Sequence, residues 1–146
     1  YYGLPTKQSS QPIPQAVYTE PAIAGIGLTE AEARDKHGDK IKVVSWPFAD
    51  NDRAIAELDT LGDARLVVGK GGKLLGAHAA GTRADDLVQI AQAIMATGGS
   101  VKDLTSPVAP YPTRGEVFKR AAGQYYEPTI FGPLAKTWAG LLTTFH

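Results

Sequence analysis

The sequence predicts an α+β fold, an antiparallel sheet with helices packed on one side. Two apolar runs, Arg65-Leu66-Val67-Val68 and Lys73-Leu74-Leu75-Gly76-Ala77-His78-Ala79, meet across Gly69-Lys70-Gly71-Gly72, whose glycines supply the positive φ that a tight turn demands. A helical repeat follows, with Leu87, Ile90, Ala91 and Ile94 at i, i+3, i+4 and i+7. The order strand, helix, strand, hairpin, long helix, loop, helix leaves mostly short connections between strands, which antiparallel pairing accepts and parallel pairing does not. The 146 residues amount to one domain.

In chain order, residues 1–15 carry Pro5, Pro12 and Pro14 without periodic apolar spacing and read as a linker. Ala16-Val17-Tyr18-Thr19 has strand composition. Residues 22–27 form a second extended piece with glycines where backbone packs closely. Thr29-Glu30-Ala31-Glu32 is a capping box that opens a short helix stopped at Gly38. Residues 41–46 read as a strand ending at Pro47, and residues 51–61 suit a helical turn or two. Thr82 is placed to cap the long helix, which Gly98-Gly99 closes. After a proline-rich loop, Val117, Phe118, Ala121 and Ala122 mark another helix. A last one from Pro133 aligns Leu134, Trp138, Leu141, Leu142 and Phe145, a stripe with three fates open to it: packing on the core, joining a subunit interface or touching a membrane surface. Core packing is the preferred reading, because the helix adds little positive charge beyond Lys136.

Composition narrows function by exclusion. Fifteen Lys+Arg balance fifteen Asp+Glu, so the chain has no bulk attraction for nucleic acid. No apolar stretch reaches the roughly 18 residues of a membrane span. With no cysteine, thiolate catalysis, dithiol cycling and zinc–thiolate sites are outside this chain's own repertoire. The 3 histidines lack i, i+4 pairing, so no metal site is expected. Gly69-Lys70-Gly71-Gly72-Lys73 is glycine-rich, but a strand rather than a helix follows and no Ser or Thr succeeds the lysine, so it reads as a hairpin and not a phosphate cradle. His78, in an apolar strand, reads as a packed and hydrogen-bonded histidine, and His37 as a helix-end cation.

The segment Val108-Ala109-Pro110-Tyr111-Pro112-Thr113-Arg114-Gly115-Glu116 carries the most information. A tyrosine between two prolines sits in backbone pre-set to extended geometry, and such loops aim a side chain outward. From the residues alone, a rigid corner with a surface Glu at a helix start accounts for it.

Residues 17–33 (Val17-Tyr18-Thr19-Glu20-Pro21 through Ala33), Asn51-Asp52-Arg53-Ala54, Leu75-Gly76-Ala77-His78-Ala79-Ala80-Gly81 and Tyr111-Pro112-Thr113-Arg114-Gly115-Glu116 together resemble, in order and spacing, the C-terminal dimerisation domain of the pyridine nucleotide–disulfide oxidoreductases, the family of dihydrolipoamide dehydrogenase, glutathione reductase and mercuric reductase. The resemblance implies the fold of the reductase dimerisation domains and divides the chain into a linker at 1–15 from absent upstream FAD and NAD domains, a dimerisation domain at 16–125 and an extension at 126–146 with the amphipathic helix. It implies a cytoplasmic homodimer whose full-length form uses FAD and NAD(P)H, with neither bound by this fragment alone and the fragment alone inactive. Pro110, Tyr111 and Pro112 would approach the partner's flavin, Tyr111 and Glu116 would serve its redox site, and the Tyr111–Pro112 bond would be cis.

The family motif is His-Pro-Thr-x-x-Glu, with the Glu orienting an acid–base imidazole. Tyr111 replaces that His, and a phenol with a pKa of about 10 cannot act as a base near neutrality; it can donate a hydrogen bond to a thiolate or ligand. Mercuric reductase resembles the site through a Pro-Tyr-x-Thr-x-x-Glu pattern matched by Pro110, Tyr111, Thr113 and Glu116, but normally carries a terminal cysteine pair that this chain lacks. A relative of unassigned substrate is the resulting expectation, with a non-catalytic association module as its competitor.

Overall fold

A computed structural model describes residues 11–132. The helix expected from Pro133 and most of the linker lie outside those residues. Five strands form one antiparallel sheet in the order β1-β2-β5-β4-β3: β1 (Gln15–Val17), β2 (Ile23–Gly27), β3 (Lys42–Pro47), β4 (Asp63–Val68) and β5 (Leu74–Ala80). The helices are α1 (Glu30–His37), α2 (Asp52–Ala56), α3 (Ala84–Ala96), α4 (Val101–Thr105) and α5 (Glu116–Ile130).

The expected hairpin is β4–β5, turned by residues 70–72 with Gly71 at φ 71° and Gly72 at φ 82°. Both values lie where a side chain is disfavoured, which is why this turn is spelled in glycine. Register slips by one residue at Val67/Val68, where Val67 faces Gly76 and Val68 faces Leu74. The bulge gives Leu74 and Leu75 to opposite faces: Leu74 packs with Leu66, Val68, Ala77 and Ala79, and Leu75 with Val67.

The major face carries α3, α4 and α5, with Val88, Val101, Val117 and Phe118 buried on it beside Phe48. On the other face α1 covers a small patch through Ala33, against Ile41 and Val67. The α1 capping box forms as the sequence predicts: Glu32 N donates to Thr29 Oγ1 at 3.3 Å, and Thr29 N donates to Glu32 Oε2 at 2.9 Å.

Three local expectations are corrected. Thr82 does not cap α3; that position falls to Arg83, which adopts the left-handed φ of 63° and ties its guanidinium to Asp86 at 3.1 Å. The proline-rich loop is preceded by an unforeseen helix, α4, where Ser100 N donates to Asp103 Oδ2 at 2.7 Å. Helix α5 continues to Ile130 through Pro128, so the boundary drawn between 125 and 126 falls inside a helix. Among the described residues no helix is long and apolar enough to cross a membrane.

Candidate functional site

The loop at 106–115 joins α4 to α5 and projects between two clefts. One, of about 400 Å³, is bordered by Arg53, Arg83, Ile90, Pro112 and Thr113. The other, of about 410 Å³ and mostly apolar, lies behind Pro107, Ala109 and Pro110 against Ile94 and Leu104. The Tyr111–Pro112 peptide is cis, as the sequence resemblance implies; Glu20–Pro21 is also cis, which the sequence reading did not foresee. Tyr111 is 68% exposed and turned outward.

Two side chains fasten the loop to the body. Asn51, 2% exposed, caps α2 by accepting from Ala54 N at 3.0 Å, and its Nδ2 donates to the Thr113 carbonyl at 3.1 Å. One amide thus orders a helix start and a loop 62 residues away. Arg114, 6% exposed, donates from Nε to Glu57 Oε2 at 2.8 Å and from Nη2 to the Asp59 carbonyl and carboxylate at 2.9 and 2.7 Å. Its guanidinium carbon stands 5.5 Å from the centre of the Phe48 ring. Nη1 is buried without a hydrogen-bond acceptor, and the ring's π face is the group that remains to it. Hydrogen bonds from Arg114 first, and then from Arg53, hold the Glu57 carboxyl below the ordinary glutamate range.

The sequence-level pair Tyr111 and Glu116 does not join by hydrogen bond. Glu116 turns back to its own helix start, where Thr113 N donates to Oε2 at 3.3 Å. Tyr111 donates its hydroxyl proton instead to Asp52 Oδ2 at 2.6 Å, and this bond raises its ionisation above the ordinary tyrosine value. Pro110 lines the mostly apolar cleft and Pro112 the other, so the two flank Tyr111 without touching the same space. Sequence reasoning missed Asp52, Asn51 and Arg114 as site residues. The only available signal was the Asn51-Asp52-Arg53-Ala54 block itself, which pairs with the loop solely through tertiary structure.

The histidine on β5 serves the scaffold. His78 lies half-buried on the minor face, donating from Nε2 to the Leu28 carbonyl at 3.0 Å. Its ring occupies the space where a Cβ on Gly25 would sit, so that glycine is required by close approach. His37 is the last residue of α1.

The fold is thus an antiparallel sheet with one main helical face, from which a stapled loop presents an exposed tyrosine away from the core. Residues 13–122 match the model of the pyridine nucleotide-disulphide oxidoreductase dimerisation domain, and the chain belongs to that family. Dihydrolipoyl dehydrogenase of Synechocystis sp. is 38% identical over 123 residues, 82% of this chain and 26% of that protein. Mercuric reductase of Lysinibacillus sphaericus is 36% identical over 121 residues, 82% of this chain and 22% of that protein. Among solved structures, the HOCl-induced flavoprotein disulfide reductase RclA of Escherichia coli superposes with a TM-score of 0.74 at 26% identity, covering 81% of this chain and 28% of that one. The chain therefore spans about a quarter of the length of the relatives it matches.

Proposed function

We propose that this chain is the dimerisation domain of an FAD-dependent NAD(P)H disulfide oxidoreductase, that it pairs with a second copy of itself, and that the Tyr111–Pro112 loop with Glu116 completes the redox site of the partner subunit. The observation that supports this reading is the stapled loop. Asn51 and Arg114 hold its far end while Tyr111 stands in solvent, an arrangement with no purpose for the domain's own core.

The chain has no cysteine, so the sulfurs that are oxidised and reduced belong to other parts of the full-length enzyme. Pro110, Tyr111 and Pro112 form an exposed edge, which suits contact with a flavin held elsewhere rather than enclosure of one. FAD bound there would pass electrons from NAD(P)H to the disulfide. What these residues contribute is placement: Pro110 and Pro112 restrict the backbone, and Tyr111 supplies the polar atom at the tip.

Replacing Tyr111 by Phe in the full-length flavoenzyme tests the reading. Disulfide turnover should fall while flavin content stays at the wild-type level. Unchanged turnover would leave a purely associating module.

A further inference from the structure

We propose that Asp52 is a positioning residue that makes Tyr111 a hydrogen-bond acceptor, so that the phenol oxygen meets a protonated thiol of the partner's redox centre instead of donating to a thiolate. This rests on the reading of the Tyr111 loop given above. A phenol has one proton to donate. Here it goes to Asp52 Oδ2 at 2.6 Å, a charge-assisted contact of the strong class. What Tyr111 still offers to the outside is lone pairs.

The pairing is built into the scaffold. Asp52 is the first residue of α2, directly after Asn51, and Asn51 in turn holds the Thr113 carbonyl. Donor and acceptor are therefore positioned by the same amide side chain, one through a helix cap and the other through the loop. The remaining charges that face the phenol lie on α5: Glu116 acts in the same direction as Asp52, and Arg120 opposes both. The net effect, led by the Asp52 hydrogen bond, raises the phenol's ionisation above the ordinary tyrosine value.

An imidazole in this place could donate to a carboxylate from one nitrogen and present a lone pair with the other. The Asp52–Tyr111 pair presents the same outward polarity without imidazole's titration near neutrality. An acceptor favours S–H over the thiolate, and the nearby Asp52 charge does the same, so the facing thiol should ionise at a higher pH with the pair intact.

Two measurements separate this proposal from the reading on which it rests. In the 146-residue chain, the ¹³Cζ resonance of Tyr111 should titrate at lower pH in Asp52→Ala than in wild type, and an unmoved midpoint overturns the pairing. In the full-length flavoenzyme, Asp52→Ala should move the thiol limb of the kcat/KM pH profile to lower pH and lower the plateau about tenfold. Asp52→Asn, which keeps an oxygen acceptor for the phenol, should retain most of the wild-type plateau. A thiol limb that stays in place in Asp52→Ala, while Tyr111→Phe still impairs turnover, overturns the role of Asp52 and leaves the loop reading standing. Silence of Tyr111→Phe sinks the loop reading itself, whatever the resonance does.

Discussion

Arg114 decides where the loop goes. Its guanidinium is buried, yet the carboxylates it meets, Glu57 and Asp59, remain partly open to solvent, so the cation gains partners that water still supports. Arg114→Met keeps much of the stem but removes three hydrogen bonds, and should lower stability by about 2 kcal/mol in urea or thermal unfolding. The linked pH dependence has a definite sign. Glu57 is held below its ordinary value in the folded state, so it contributes stability that is full above the unfolded glutamate pKa of about 4.3 and is lost as pH falls toward the lower folded value. Glu57→Gln should flatten that acid limb in unfolding curves taken from pH 7 to 3, leaving the neutral-pH slope as it was. None of this was legible along the chain. Arg114 and Glu57 are 57 residues apart, and neither sits in a pattern that announces the other.

At the scale of elements, the features read most easily were those specified by neighbours in sequence. The Thr29 capping box and the glycine turn between β4 and β5 each need only a few consecutive residues, and both form. Helix α4 was overlooked although Ser100 and Asp103 carry a local signal, because five helical residues between glycines and prolines give too little apolar periodicity to register. Arg83 was beyond reach for another reason: nothing in an arginine's chemistry favours a left-handed φ, which tertiary context imposes. The strands also contain a constraint that composition hints at without locating. A Cβ on Gly76 would run into the Leu28 carbonyl, which has no room to withdraw because Leu28 N donates to the Leu75 carbonyl at 2.9 Å. Gly76→Ala should therefore cost about 1–3 kcal/mol in chemical denaturation, more than an exposed glycine substitution in a strand would suggest. A neutral result would show that β2 and β5 can separate locally.

For the whole molecule, the fold was legible further than the site. The sheet's antiparallel order and its main helical face follow from apolar patterning and short connections, whereas the site depends on which distant residues that packing brings together. Glu116 matched the family motif by position yet its carboxylate bonds Thr113, while Asp52, unremarked in its block, holds Tyr111. Association belongs to this scale as well. Sedimentation equilibrium of the chain should show a reversible dimer at micromolar to millimolar concentration. A strict monomer throughout that range would count against pairing through this domain. The Asn51 amide has a dynamic consequence: it secures both α2 and the loop, so the opening of one weakens the hold on the other. Hydrogen exchange should therefore show the backbone amides of 53–56 and 114–117 opening together, with the tyrosine's position lost in the same step, and Asn51→Ala should uncouple the two segments.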